Sequence, residues 1–158
     1  MLRQLAIASA LLVAVLAAGC GGGGGATKDD LRQDVLAARN DTDAGLAQIV
    51  QATSLDDLLA RMRVAAVKVR RAAADVRKAD APKELENERD ALAGRLLALS
   101  DEIVSTVETL EAFPEQAAKT GALDFAQWDA VQNELTKLRN QGVKVPPLER
   151  HKPEPQRQ

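Results

Sequence analysis

Cys20 and His151 are the chain's only thiol and its only imidazole, the side chains that most often act as nucleophile, base or metal ligand near neutral pH. His151 lies between Arg150 and Lys152 in a proline-rich segment, where no predicted element would hold it against a partner. We therefore predict a solvated histidine. Single copies of Cys and His also argue against a histidine-dependent triad, a two-histidine zinc site and a disulfide framework.

The residues before Cys20 have the layout of a secretory signal peptide. A positive start at Arg3 precedes an apolar run over residues 5–18 and then small residues. The run is 14 residues long, whereas a helix needs roughly 20 apolar residues to cross a bilayer. The sequence thus predicts that residues 1–19 are a signal peptide and that Cys20 becomes the first residue of the mature chain.

The segment Ala17-Ala18-Gly19-Cys20 resembles the lipobox of bacterial lipoproteins, although that family prefers Leu at the position of Ala17. The resemblance implies that a diacylglyceryl group joins the Cys20 sulfur and that a dedicated peptidase then cuts before this residue. Two acyl chains anchor a protein stably, whereas one binds a membrane only marginally. Cys20 is therefore the predicted lipidation site, and the expected location is the extracytoplasmic face of the cell membrane.

The chain beyond the signal peptide divides into three parts. Residues 20–27 comprise the lipidated Cys and a Gly-rich tether, whose root-mean-square reach is roughly 15 Å. Residues 28–142 are predicted to be a helical bundle domain, because apolar residues recur there at spacings of three and four. Residues 143–158 hold four of the six prolines and are predicted to be a disordered tail.

The predicted fold class is all-α: an antiparallel up-down helical bundle of three long helices plus a shorter C-terminal helix. The long helices are expected at about 28–52, 54–79 and 83–112, and the last one should end at Gly142, a residue suited to a left-handed C-cap. The second helix carries an apolar seam of alternating spacing at Leu55, Leu59, Met62, Ala66, Val69, Ala73 and Val76.

Capping patterns mark the expected helix starts, at Thr27 with Asp30, Ser54 with Asp57 and Asp124 with Gln127. Pro82 should force the turn between the second and third helices. Residues 40–45 include several poor helix formers, so the sequence leaves open whether the first helix is continuous or broken there.

Opposite charges follow the two central helices. Residues 61–78 carry a formal charge of +6 and residues 84–111 one of −6. Folding the chain about residue 81 predicts interhelical ion pairs that fix the register, namely Lys78–Glu84, Arg77–Glu86, Arg71–Asp90 and Arg61–Glu102. The alternative interpretation is a basic stripe left free to contact anionic lipid headgroups or wall polymers.

No motif assigns a catalytic, cofactor-binding or metal-binding residue. Carboxylates are plentiful, but the predicted seams are apolar, whereas metal sites in bundles need acids that project inward. We therefore expect neither catalysis nor a cofactor nor a metal. The net charge of −2 also does not indicate nucleic-acid binding, which favours a basic surface.

The favoured function is a non-catalytic interaction or structural module of the cell envelope. Its partners would be the membrane, through the lipid on Cys20, and an envelope protein or wall component. The alternative is a ligand-binding lipoprotein with a pocket between bundle helices, although the chain has only three aromatic residues to line one. A homo-oligomer is a further alternative, because the seams can pair between chains. The hairpin over 55–110 is similar to small alanine-rich helical lipoproteins of high-GC Gram-positive bacteria, a likeness that brings no functional residues.

Overall fold

A computed structural model of the chain describes residues 25–116 and 125–151, and every regular element within them is helical. Four α-helices follow one another, α1 (Lys28–Ile49), α2 (Leu55–Lys78), α3 (Glu86–Ala112) and α4 (Ala126–Asn140). Helix α2 packs against α1 and α3, and α3 also packs against α4. The predicted bundle of three long helices and a shorter last one is confirmed.

Short connections make α2 antiparallel to both α1 and α3, so the bundle has two distinct ends. The tether end holds the start of α1 after Thr27 and the turn at Pro82 between α2 and α3. The far end holds the end of α1 at Ile49 and the end of α3 before Phe113. Helix α1, with 22 residues, separates the two ends by about 33 Å. None of the described helices has both the length and the apolar character needed to traverse a bilayer.

The predicted capping box at the start of α1 is confirmed. Asp30 N donates to Thr27 Oγ1 at 3.3 Å, and Thr27 N donates to Asp30 Oδ2 at 2.9 Å. The Thr27 hydroxyl, followed by its backbone N–H, lowers the pKa of Asp30. The predicted tether therefore precedes a hydrogen-bonded helix start.

Helix α1 is continuous through residues 40–45, and packing explains the poor helix formers there. Thr42 is fully buried and its hydroxyl donates to Ala38 O at 2.8 Å. Gly45 is buried against α2, where a Cβ would lie 3.4 Å from Ala65 Cα. Tertiary contacts thus override the weak local propensity of this segment.

The α2–α3 hairpin contains the most regular part of the core. Its apolar seams are buried, and the buried residues that α2 contributes include the small side chains of Ala66 and Ala73. In this interface the Ser100 hydroxyl donates to Ala66 O at 2.9 Å, so the buried hydroxyl is satisfied. A 3-10 turn at Lys83–Leu85 leads from Pro82 into α3.

The charge register predicted for this hairpin is wrong. Arg70 pairs with Asp101 at 2.6 Å and Arg63 pairs with Glu111, so each partner lies further along α3 than predicted. The reason is that the chain reverses through the 3-10 turn, after residue 81, which shifts α3 along α2. None of the four predicted pairs lies within ion-pair distance; they were Lys78–Glu84, Arg77–Glu86, Arg71–Asp90 and Arg61–Glu102.

Arg61 and Glu102, one of those predicted pairs, have other partners. Arg61 pairs with Asp57 within α2 at 2.7 Å, and this hydrogen bond is the main reason that the pKa of Asp57 is lowered. The Glu102 carboxylate caps α4, accepting from the backbone N–H groups of Ala126 and Gln127, each at 2.9 Å. The predicted cap Asp124 lies outside the described residues.

The end of α4 redirects the chain back along the bundle. Gly142 has a φ of 95°, as predicted for the left-handed C-cap, and donates to Arg139 O at 3.0 Å. Val143 N donates to Leu138 O at 3.0 Å, which completes a Schellman motif. The following residues, 143–151, form what we call the C-terminal strap.

The strap corrects the prediction of a disordered tail over residues 143–151. Val143, Val145 and Leu148 are 0%, 2% and 4% exposed, so they belong to the core. Their burial stabilises an extended segment that has no helix or strand of its own. Residues 152–158 of the predicted tail lie outside the described residues.

Candidate functional site

The strap runs from the tether end to the far end in the groove between α1 and α4. Near its start, Lys28 Nζ donates to Gln141 O at 2.8 Å. Further along, Leu148 N donates to Gln132 Oε1 on α4 at 2.9 Å. Helices α1 and α4 are thereby bridged by an extended segment.

Side chains from both helices satisfy the strap's backbone. Pro146 and Pro147 have no N–H to satisfy, which lowers the number of donors that an extended buried segment must pair. Arg39 on α1 donates to Pro147 O through Nε at 2.9 Å and through Nη2 at 2.6 Å. Glu149 N donates to Asp43 Oδ1 at 3.0 Å.

Asp43 and Arg39 form a nearly buried ion pair beneath the strap. Asp43 Oδ2 lies 2.5 Å from Arg39 Nη2, and the two side chains are only 10% and 11% exposed. Burial raises the pKa of Asp43, and this outweighs the opposing effects of the Glu149 N–H, Arg39 and His151. The carboxylate is therefore held in an environment that disfavours its charge.

His151 ends the strap beside this pair, so the prediction of a solvated histidine is wrong. Its side chain is 21% exposed, and Nε2 lies 4.0 Å from Asp43 Oδ1. That separation is too long for a hydrogen bond, and Nε2 has no other hydrogen-bond partner. An imidazole and a buried carboxylate thus face each other at the far end.

A small cleft adjoins His151 at the far end. Its walls come from the end of α1, the start of α4 and the strap, and comprise Leu46, Ile49, Val50, Phe125, Trp128, Glu149, Arg150 and His151. The Arg150 guanidinium lies 4.4 Å from the centre of the Trp128 ring and 3.0 Å from Asp129 Oδ1. This contact has the geometry of a cation–π interaction and fixes one wall of the cleft.

The size of the cleft limits what it can hold. Its volume is about 40 Å³, room for a water molecule or one small group, whereas pockets for organic ligands usually enclose about 300 Å³ or more. A histidine beside a carboxylate is the pairing that activates nucleophiles in hydrolases, yet no hydroxyl or thiol is among the described residues that line this cleft. The arrangement is suited to holding the strap and presenting a surface.

The three aromatic residues named by the sequence gather at this end. Phe125 is buried, Trp128 is half-buried, and Phe113 at the end of α3 is 51% exposed. Cys20, the predicted lipidation site, lies outside the described residues. Among the residues described, no group of three or more His, Cys, Asp or Glu side chains is placed to hold a metal ion.

Sequence reasoning missed Arg39, Asp43 and Gln132 as residues that hold the strap. One signal was present, because the charged Asp43 lies between Thr42 and Leu46, two residues of the predicted buried face. A charged residue there is expensive to bury unless a partner is supplied. Arg39, four residues earlier, supplies that charge, but the Glu149 N–H that also bonds to Asp43 lies more than 100 residues away, and local spacing contains no information about it.

Comparison with protein-family models, with curated proteins and with solved structures finds nothing that matches this chain. Function is therefore inferred from the geometry of the described residues together with the N-terminal sequence.

Proposed function

We propose that this chain is a lipid-anchored protein of the cell envelope, held to the membrane by acylated Cys20, that binds an envelope partner through its far end and performs no catalysis. The observation that carries the proposal is the separation of the two ends. The tether enters at Thr27, and the aromatic residues lie at the opposite end, about 33 Å away along α1.

The composition of the far end supports a contact surface. Aromatic residues and Arg are enriched in protein interfaces, because they supply large contact areas and oriented polar groups. Phe113, at the end of α3, is half exposed, and the Arg150 guanidinium stacks on Trp128 at the start of α4. The predicted Gly-rich tether, with a reach of roughly 15 Å, would keep the bundle close to the membrane surface.

The ligand-binding alternative is less well supported. Its natural site would be the cleft beside His151, whose volume of about 40 Å³ is far below that of a typical ligand pocket. The wider depressions at the tether end and between α1 and α2 are open to solvent and carry mixed charge.

Two measurements on the full chain in its own membrane test the proposal. Metabolic labelling with a fatty-acid analogue should mark the wild type, and the label should be lost in Cys20→Ser because no other thiol exists. A photo-cross-linking residue at Phe113 should give one discrete adduct with an envelope component, whereas the same residue at Ala91, an exposed position near the start of α3, should not. Labelling that survives Cys20→Ser would refute the anchor. Equal adducts from both positions would refute binding through the far end.

A further inference from the structure

The outer surface of the α2–α3 hairpin carries an apolar patch with no described partner. Val64 and Val67 on α2 are 49% and 69% exposed, and Val104 on α3 is 37% exposed. Single exposed apolar residues are common on protein surfaces. These three, however, lie on one side of the hairpin: Val64 and Val67 are one turn apart on α2, and the interhelical ion pairs place Val104 alongside them.

The ion pairs fix where the patch lies. Arg63 pairs with Glu111 and Arg70 pairs with Asp101, so these four residues mark the line along which α2 and α3 meet at the surface. Val67 is one turn from each arginine on α2, at spacings of four and three. Val104 is one turn from Asp101 on α3, between the levels of the two pairs. Val67 and Val104 therefore lie on the same line, framed by ion pairs above and below.

The charges that flank this line are opposite on its two sides. Helix α2 exposes Arg77, Lys78 and Arg71, the last paired with Asp75. Helix α3 exposes Glu86, Glu108 and Asp90, the last paired with Arg89. The ion pairs on the line neutralise two further arginines, so the face as a whole is not basic. An anionic lipid surface or polyanion would meet the acidic α3 side as well as the basic α2 side, and does not fit.

We propose that this face is a homodimer interface, related by a two-fold axis parallel to the bundle. Such a rotation preserves height along the bundle and brings α2 of one copy against α3 of the other, antiparallel. Val67 then meets the partner's Val104. Arg77 and Lys78 meet the partner's Glu86 and Asp90 at the tether end, where all four lie.

The available area is sufficient for such a dimer. Helix α2 has 24 residues and is about 36 Å long. Two adjacent helices, each about 10 Å wide, therefore offer roughly 700 Å² per copy, close to the approximately 800 Å² per partner of a standard interface. The same axis leaves both tethers at one end. The dimer does not depend on the proposed lipid anchor or on the far-end partner, because neither contributes to this face.

Cross-linking between two differently tagged full chains in detergent-solubilised membranes tests the interface. One copy carries Val67→Cys and the other Val104→Cys, and the parent chain sets the background from Cys20. The matched control replaces Val67→Cys by Asn133→Cys, an exposed position on α4. Disulfide-linked mixed dimers should exceed the control at least about tenfold. Adding Val64→Glu should lower the yield about tenfold, because an unpaired charge would be buried in the interface.

Exchanging the charges across the interface gives a second test, in which a restored yield shows that the variants still fold. Arg77→Glu with Lys78→Glu in both copies should reduce the mixed dimer, and Glu86→Lys with Asp90→Lys in both copies should restore it. Circular dichroism of each variant verifies the helical content. Yields equal to the Asn133→Cys control, or adducts with a different envelope protein in place of the second copy, would overturn the proposal. A yield that the charge exchange leaves unchanged would overturn the proposed pairing.

Discussion

The two seams that close this bundle are built on different physical principles. Between α2 and α3, apolar side chains repeat at helical spacing, and a buried polar contact joins Ser100 to Ala66 O. Between α1 and α4 lies the strap, whose backbone bonds to Arg39, Asp43 and Gln132. The hairpin seam rests on many apolar contacts that repeat along both helices, whereas the strap seam also depends on a few polar side chains, each directed at a particular backbone atom.

The largest expected effect tests whether the strap is as much a part of the core as the hairpin. Val145→Ala with Leu148→Ala should lower the free energy of unfolding by about 5 kcal/mol, because buried Val and Leu side chains are each truncated. Val69→Ala with Leu99→Ala, the matched pair in the hairpin, should cost a similar amount. Urea denaturation monitored by circular dichroism measures both.

If the double substitution in the strap lowered the free energy of unfolding by less than about 1 kcal/mol, while the one in the hairpin was strongly destabilising, residues 143–151 would not pack on the bundle in solution. Lys144→Ala, an exposed substitution on the same segment, serves as the control and should change stability little.

A second, intermediate effect tests the polar chemistry of the strap seam. Arg39→Met should lower the free energy of unfolding by about 3 kcal/mol at neutral pH, because the Asp43 charge stays buried without its partner. Arg32→Met on the same helix removes a more exposed pair with Asp29 and should cost less than about 1 kcal/mol.

The loss in Arg39→Met should shrink in acid, and the sign follows from Asp43. Burial raises the pKa of Asp43 above its ordinary value of 3.8. The protonated carboxyl therefore favours the folded state, an advantage fully present below that ordinary value and lost as the pH rises through the raised one. Without Arg39 this pKa should rise further. Urea denaturation midpoints of the wild type and Arg39→Met, measured at about pH 4 and about pH 7, give the stability loss with Asp43 more and less protonated. A larger loss at the lower pH would contradict the role given to the Asp43 charge.

The smallest expected effect concerns the carboxylate that joins the two halves of the bundle. Glu102 on α3 caps α4 by accepting from two backbone N–H groups, so Glu102→Ala should cost about 1 kcal/mol. Glu108→Ala, an exposed acid on the same helix, should cost less than about 0.5 kcal/mol. Thermal unfolding of the two variants in parallel provides the measurement. Equal unfolding midpoints would contradict the capping role of Glu102.

The difference between the seams also explains which predictions the sequence supports. The helices, their apolar faces, the Thr27 cap and the Gly142 C-cap all follow from residues within one or two turns of each other, and all are confirmed. The predicted ion-pair register was wrong because it depends on the number of residues in the α2–α3 turn. Hydrophobic periodicity does not specify the 3-10 turn at Lys83–Leu85.

The prediction for the strap was wrong for a different reason. Prolines and charges gave residues 143–151 the composition of a disordered segment, and the three apolar residues that bury it do not follow a helical or a strict strand period. A local clue did exist, because an apolar residue directly after a C-cap glycine commonly packs on the preceding helix, and Val143, directly after Gly142, is fully buried. The site itself needs contacts between α1 and the strap that no local pattern specifies.

The span of those contacts along the chain sets an order of assembly. Lys28 and Gln141 are separated by 113 positions, and Arg39 and Pro147 by 108, whereas each helical hairpin joins neighbours in sequence. Closing so long a loop costs chain entropy before any contact stabilises it, so the hairpins form first and the strap docks last. Synthesis from the N-terminus imposes the same order. The Asp43 carboxylate stays hydrated until that final step, and the cleft beside His151 exists only in a chain that has finished folding. Any partner that recognises the cleft would therefore discriminate between completed molecules and unfinished ones.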